Sequence, residues 1–576
     1  MERIAMVHRR RFLEQCGLAA AACWYPATAA AAGAATAGGV ALPDVSADVL
    51  IVGGGLGGCA AALAATRLGK RVVMTEPTDW LGGQLTQQAV PPDEHSWIEE
   101  FGCTATYRQL REGIREYYRR HGALTPEAKA RPRLNPGDGS VSRLCHEPRV
   151  ALAVLDAMLA PAVQKGLLTI LLNTEPLAAD VSGDRVRAVR LACGPDRRQT
   201  VVQAKYFIDA SETGELLPLT GTEYVTGSES RRDTGEPNAS ETARPANMQS
   251  FTWCYAIDYL PDEDHTIDKP ARYDFWRQHE PQLNPPWPGK LLSLWYTHPM
   301  SRKPLELSFL PLSPQIPSCP TKTLNLWLYR RIIHHANFDK GVFPGDITIV
   351  NWPQNDYMLG NPFEVSPEEQ AKHLEGARQL SLSLLYWLQT EAPRPDGGTG
   401  WKGLRLRPDV LGTADGLAKF PYIRESRRIK AQFTILEQHI RPASPRRIGK
   451  QTLAERFDDS VGVGYYSLDL HPSTGGDNYF HVDCRPYQIP LGALIPQRVE
   501  NLIAGGKNLG TTHLTNGAYR LHPTEWNIGE AAGTLAAFCL DRGEPPRAVR
   551  QRTQLLRQLQ DALARFGVEL DWTGFA

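Results

Sequence analysis

Gly53, Gly55 and Gly58 stand in the G-x-G-x-x-G spacing, and Glu76 closes the next apolar run. Residues of these types in this order can hold a dinucleotide. Gly53 permits a tight turn, Gly55 lets backbone amides approach a pyrophosphate, and Gly58 lets a helix pack closely on a strand. The Glu76 carboxylate can accept hydrogen bonds from ribose hydroxyls. The elements that must position these residues are legible on either side. Val49-Leu-Ile-Val52 reads as a buried strand, the Ala-rich stretch from Leu56 to Leu68 as a helix stopped by Gly69, and Arg71 to Glu76 as a second strand. That helix would turn unpaired N–H groups and a partial positive charge toward the phosphates. Gly398, Gly400 and Gly403 repeat the spacing with no strand before them, so the bare pattern is a weak signal and its context decides. The competing reading is a glycine-rich turn that binds nothing.

At 576 residues the chain is long for a single core, and 42% hydrophobic residues are ample for two. Its 63 Lys plus Arg equal its 63 Asp plus Glu, so no basic excess points to nucleic acid or an anionic membrane, and the expected partner is a small molecule. His8-Arg-Arg-Arg-Phe-Leu13, a short apolar run from Cys16 to Ala22 and Ala35-Thr-Ala37 together resemble a twin-arginine export signal. Residues 1–37 are therefore expected to engage the twin-arginine export machinery and leave the mature protein in the periplasm or secreted. The alternative is a basic start before an alanine-rich linker. The apolar run falls short of the roughly twenty residues a membrane span needs. Cysteines 59, 103, 145, 193, 254, 319, 484 and 539 include no C-x-x-C pair, so neither a zinc site nor an iron–sulfur cluster is expected.

Further segments extend the pattern. Trp80-Leu-Gly-Gly-Gln-Leu-Thr-Gln-Gln88 interrupts the regular βαβ alternation of a plain NAD enzyme. From Pro148 an apolar-periodic helix leads through Gly166 into a strand from Leu167 to Leu172, and a strand from Ala204 ends in Asp209. Val499 to Asn508 is a strand closing on glycines, followed by a small-residue helix with Thr524 as its expected N-cap. With Arg143-Leu-Cys-His-Glu-Pro148 and the run from Tyr422 to Ile429, these resemble the FAD-dependent oxidoreductase family of the glutathione-reductase-like flavoprotein class, over nearly the whole mature chain.

The resemblance implies an α/β fold: a Rossmann-like FAD-binding domain carrying an inserted α+β substrate domain. It implies FAD as cofactor, with Gly53, Gly55, Gly58 and Glu76 on the ADP half and Gly82, Gly83 and Gln84 along the pyrophosphate and ribityl chain. Asp209, Gly505, Gly506 and Asn508 would lie near the ribityl and phosphate region. The helix from Glu525, which contains Gly529, would return to the flavin with its N-terminus at the pyrimidine edge. Reduction places negative charge on that edge, and a helix N-terminus stabilises it by about 0.3–1 kcal/mol.

The expected organisation is a signal at 1–37, a first FAD-binding part at 46–225, an inserted substrate domain at 226–486, a return at 487–545 and a helical tail at 546–576. Eight of the thirteen tryptophans fall between Trp253 and Trp401, where packing is the first expectation and a ring-binding platform the second. Oxidising an alcohol or amine requires a base for the proton and a cation near an anionic substrate or the reduced ring. The candidates are His513, Arg520 and His522 between the last strand and helix, Arg143 and His146 before the helix at Pro148, and His471 from the insertion. The Arg424 to Arg428 run reads equally as an ion-pair network with Glu425. The resulting expectation is an exported FAD-dependent dehydrogenase or oxidase. It would take hydride from a small alcohol, sugar or amine onto flavin N5 and be reoxidised by oxygen, quinone or cytochrome. The alternatives are a flavin hydroxylase or reductase fed by a separate donor, and a non-catalytic flavin-fold binding or maturation partner.

Overall fold

In the computed structural model, residues 43–311 and 323–575 are described. The expected export signal and Cys319 lie outside them. β1 (Val45–Val52) ends in four fully buried apolar residues, as a strand covered on both faces should. It runs through the glycine turn into α1 (Leu56–Arg67) and then β2 (Val72–Glu76), which pairs parallel to it from Val49↔Val72 to Val52↔Thr75. α2 (Ala105–His121) is capped by Thr104, whose hydroxyl accepts from the Tyr107 N–H at 3.2 Å. α3 (Pro148–Gln164) leads into β3 (Leu168–Leu172), parallel to β2. β4 (Thr174–Ser182), β5 (Arg185–Cys193) and β6 (Arg198–Asp209) form an antiparallel meander. β6 is long enough to serve two partners: its first half pairs with β5, and from Val202 onward it also runs parallel to β1.

The inserted segment contributes a second, antiparallel sheet of β7 (Tyr255–Tyr259), β8 (Arg331–Ile333), β9 (Ile347–Val350) and β10 (Leu404–Leu406), in the order β8-β9-β7-β10. α4 (Pro367–Thr390) opens as its sequence dictates, with the Ser366 hydroxyl accepting from the Glu369 N–H at 3.3 Å and Pro367 in the first turn. Of the tryptophans between 253 and 401 only Trp295 is exposed, so this set builds core. The strand Ser460–Gly464 pairs with Tyr487–Pro490, and a boundary at 486 falls inside that ribbon.

β11 (Leu502–Ala504) completes the seven-stranded sheet β3-β2-β1-β6-β5-β4 by pairing parallel with Phe207 to Asp209 of β6. α5 (His513–Tyr519) and α6 (His522–Arg542) follow, and helices at Pro546–Gln551 and Thr553–Arg565 occupy the C-terminal stretch. α6 starts at His522 with Leu521 as N-cap, earlier than the expected Thr524. Pro523 sits in the first turn, where its missing N–H costs nothing, and the Thr524 hydroxyl lies 3.4 Å from that of Tyr487.

Gly529 also has a different role from the one expected. A Cβ built there would lie 2.0 Å from Gly57 O, and one on Gly533 2.3 Å from Ala61 O, so α6 lies backbone to backbone on α1. Gly529 is a packing residue between the two helices. Helix propensity alone favours Gly529→Ala by about 1 kcal/mol. The Gly57 carbonyl makes the opposite outcome the expected one, a loss of about 1–3 kcal/mol by overpacking. A lowered urea midpoint for Gly529→Ala is the expected result, and a raised one would contradict this helix contact.

Candidate active site

The glycine turn sits where β1, β2, β6 and β11 end. Gly53 has φ +101°, and a Cβ there would lie 2.3 Å from Ala210 O. One on Gly58 would lie 1.9 Å from Gly53 O, so both positions exclude a side chain. Gly55 faces side-chain ends rather than backbone: the atoms nearest its Cβ position are the carboxylates of Glu212 at 3.1 Å and Glu525 at 3.7 Å. It caps α1 without any side-chain acceptor, which leaves first-turn N–H groups for a ligand. Gly82 donates its N–H to Gly54 O at 2.8 Å, and a Cβ on Gly83 would lie 2.9 Å from Gly55 Cα. The Gln84 amide donates to Arg520 O at 2.8 Å and to the Glu525 carboxylate, tying this stretch to the start of α6.

Glu76 is 1% exposed and burial pushes its carboxyl up to about 8. Its Oε1 accepts from the Thr78 N–H and hydroxyl at 2.9 Å each and from Gln87 at 3.0 Å. Oε2 accepts only from the Gly54 N–H at 3.2 Å and retains a lone pair for a hydroxyl. Asp209 stands beside the glycine turn, opposite Val52. Its carboxylate is used by the chain itself, accepting from the Ser211 N–H at 3.1 Å, the Ser211 hydroxyl at 2.6 Å and the Leu216 N–H at 2.9 Å. Asp209 O accepts from the Gly505 N–H at 2.8 Å and from the Asn508 amide at 3.0 Å, so this residue aligns the two glycine segments. Beside Gly506, Lys507 pairs with Glu212 and donates to Ile423 O at 2.8 Å. Burial opposes its charge, but Glu212 and Glu525 hold the ammonium pKa above its ordinary value. Burial pushes the Glu525 carboxyl up to about 7 against the pull of Lys507.

A crevice lined by Gly53, Gly55, Glu76, Ser211, Glu212 and Phe420 follows the turn. A cavity of about 840 Å³ beside Ser46, Arg71 and Lys205 lies at the opposite, amino-terminal end of β1, whereas nucleotides bind at the carboxyl ends in such sheets. Along the turn, Gln84 Oε1, Glu212 Oε1, Asn508 Oδ1 and Asn516 Oδ1 are buried acceptors with no donor. The ribityl and ribose hydroxyls of a flavin dinucleotide supply such donors, and the uncapped helix suits its pyrophosphate, so the residues fit FAD.

The profile of the family described as FAD dependent oxidoreductase matches residues 48–563. The chain belongs to that family. A search of the curated proteins finds no match. Among solved structures, the chain is similar to a geranylgeranyl bacteriochlorophyll reductase-like protein from Thermoplasma acidophilum, at 11% identity over 91% of this chain and 85% of that one, with a TM-score of 0.29. It is also similar to the FrdA chain of E. coli quinol fumarate reductase, at 10% identity over 91% of this chain and 74% of that one, with a TM-score of 0.30. The flavin-dependent monooxygenase PieE, solved with FAD and substrate, matches 38% of this chain at 17% identity and a TM-score of 0.21, and the chain spans 36% of its length.

The expected catalytic residues divide. Arg143 is exposed. His146 donates from Nδ1 to Glu147 O at 2.9 Å, and burial pushes its pKa down to about 4. His522 accepts the Asp93 N–H at Nδ1 (3.1 Å) and donates from Nε2 to Val90 O (3.2 Å). Burial lowers its pKa to about 3, so it is a neutral structural residue at the start of α6. His513 lies 2.9 Å from Glu425, which also pairs with Arg428. Arg428 further donates to Gly227 O at 2.6 Å and Glu229 at 2.9 Å, the ion-pair network that was one reading of the arginine run.

Arg520 and His471 meet in a closed circuit. Arg520 donates to the Tyr422 hydroxyl at 2.7 Å and to Asp469 at 3.0 Å. Asp469 lies 3.6 Å from His471 Nε2, and His471 Nδ1 is 2.6 Å from Asp356. Asp356 pairs with Arg424 at 2.9 Å, and that guanidinium lies over the Tyr422 ring at 4.8 Å. Asp356 also accepts from the Tyr479 hydroxyl and the Thr252 hydroxyl at 2.6 Å each. Burial opposes its charge, but Arg424 and His471 hold its pKa well below the ordinary range. Asp356, Tyr422, Tyr479 and the pairing role of Asp469 were not singled out from the sequence. The one available signal was Asp469 and His471 standing two apart at the end of a strand, where alternate residues share a face. Among the described residues no group of His, Cys, Asp and Glu could hold a metal ion.

Above about pH 7 Glu525 ionises beside Gly55 and Gly506, and its charge would repel a pyrophosphate held at that turn, so FAD retention should fall on the alkaline side. Glu525→Gln keeps an acceptor for Gln84 without that charge. The expected outcome is more FAD retained than in the wild type after desalting at pH 8.5, and equal retention at pH 6, read from flavin absorbance.

Proposed function

We propose that the protein is an exported FAD-dependent dehydrogenase or oxidase that oxidises a C–H bond adjacent to a hydroxyl or amino group, with His471 as the base. The observation that carries this reading is the pairing of His471 with Asp356. Four donors surround Asp356 and hold it ionised, which makes it an acceptor only, so His471 Nδ1 carries the hydrogen in that bond. Nε2 faces the Asp469 carboxylate at 3.6 Å on a side chain that is 20% exposed, and in the neutral ring it is the nitrogen that offers a lone pair to substrate.

Bound FAD supplies a two-electron acceptor for hydride. The substrate hydroxyl or amine proton passes to His471 Nε2 as the C–H bonding pair departs with its hydrogen, and the new C=O or C=N bond forms. Asp356 and Asp469, on the two sides of the ring, stabilise the imidazolium that results. Arg520 joins this circuit to the start of α6 through Gln84, and in this family's resemblance that is the flavin edge. Outside the cytoplasm no nicotinamide pool exists, which favours oxygen, a quinone or a cytochrome as the final acceptor. The N-terminal arginine motif supports export.

Anaerobic titration of the purified holoprotein with alcohols, sugars and amines tests the reading. Bleaching of the flavin band by one of these classes is expected, and bleaching by NAD(P)H alone would refute it. His471→Asn should slow anaerobic reduction by roughly 10²–10⁴-fold at unchanged FAD content. Asp356→Asn, which frees the opposite tautomer, should slow the same step without releasing FAD.

A further inference from the structure

Arg330 differs from the other buried guanidiniums around the circuit. It follows the short helix Leu326–Tyr329 in the inserted segment and its side chain is 9% exposed. Its Nη2 comes no closer than 3.7 Å to the Asp93 carboxylate, and Nε and Nη1 are buried with no acceptor at all. Arg424 and Arg520 reach carboxylates at 2.9 Å and 3.0 Å. The other groups that feel its charge most, Tyr329, Tyr422 and Cys254, are neutral side chains, so the protein offers no second anion. A guanidinium does not discharge at accessible pH, and leaving its donors dry and unpaired is among the costlier arrangements a protein can hold.

The deficit is not confined to Arg330. Arg424 Nε, Arg520 Nε, Asn351 Nδ2 and Gln249 Nε2 are likewise buried donors without acceptors. They belong to the circuit: Asn351 accepts from Arg424 at 3.2 Å, and Gln249 accepts from the His471 N–H at 3.2 Å. Where the nucleotide turn lacks donors, this wall lacks acceptors.

We infer that Arg330 binds the carboxylate of the substrate, which makes the compound oxidised at His471 a carboxylic acid bearing a hydroxyl or amino group. This rests on the reading of His471 as base. Charge favours a monoanion. Arg330 faces Asp93, Arg424 pairs with Asp356 and Arg520 with Asp469, so these groups sum to zero and a single carboxylate on the open Arg330 donors unbalances them least. A phosphate dianion would leave excess negative charge beside the buried Asp93 and Asp356 and the half-buried Asp469.

The test uses the FAD-loaded protein and binding rather than turnover. Acetate, glycolate and benzoate are titrated against acetamide, glycolamide, benzamide and inorganic phosphate, following perturbation of the flavin absorption band and thermal shift. The acids should bind and the matched amides should bind at least roughly 30-fold more weakly. Arg330→Met should weaken the acids by a similar factor and leave the amides unchanged, and Arg330→Lys should recover part of the loss. Amides binding as well as acids, phosphate binding more tightly than the acids, or unchanged acid binding in Arg330→Met would each overturn the assignment. The wild-type comparison of acid with amide decides even where a variant fails to fold. Arg330-dependent acid binding with no reductive substrate would sink the dehydrogenase reading and spare the anion site. Reduction by a neutral alcohol with no acid binding would do the reverse.

Discussion

Backbone meeting backbone at Gly57 is the constraint on which the rest depends. A Cβ there would lie 1.9 Å from Gly505 O, and Gly57 O in turn is the atom that a Cβ on Gly529 would strike at 2.0 Å. One residue of α1 therefore touches the end of β11 on one side and α6 on the other. The pyrophosphate turn near the start of the chain and the return near its end become a single surface only because none of these positions carries a side chain. Close approach also aligns Asp209, whose carbonyl holds Gly505 and Asn508, and brings Gln84 to Arg520.

The parts of this arrangement legible in the sequence are those fixed by neighbours along the chain. β1, α1 and β2 follow from an apolar run, a glycine turn and an alanine-rich helix, all within Val45 to Glu76. α4 follows from Ser366, Pro367 and Glu369. The misreadings arise where one residue type serves two ends. Thr524 has the chemistry of a cap, but Pro523 already belongs to the first turn of α6, so the helix must start earlier. Asp209 has the chemistry of a ligand contact, yet the turn after β6 exposes the Ser211 and Leu216 N–H groups beside it and takes the carboxylate first. Gly529 and Gly58 are both helix glycines that exclude a side chain, and only the structure shows that one meets α1 and the other the Gly53 carbonyl.

The polar circuit was beyond sequence because its members come from four separate segments: Asp356, the run containing Tyr422 and Arg424, the strand end with Asp469 and His471, and Arg520. Three are from the inserted segment and one from the connection between α5 and α6. No spacing rule relates them. Asp356 is held by the pairing of Asp356–Tyr357 with Phe251–Thr252, Tyr422 by its bridge to Thr252, and Asp469 by the pairing of Leu468–Leu470 with Phe480–Val482, and Arg520 ties them to the start of α6.

Burying that many charges is not a route to stability, since well-packed apolar residues of similar volume serve a core as well or better. The circuit instead fixes proton positions. Arg424 and two hydroxyls hold Asp356 ionised. An ionised Asp356 can only accept, so His471 Nδ1 donates to it, and Nε2 is the nitrogen turned toward Asp469. Every contact around Asp356 thus acts on one atom of one imidazole. His522 shows the contrast: with one ring nitrogen accepting and the other donating to the backbone, and with no carboxylate in contact, burial keeps it neutral and closes it to chemistry. The two histidines differ because one is oriented by a carboxylate and the other is consumed by peptide groups, and under the proposed function proton transfer would fall on the insertion side of α6.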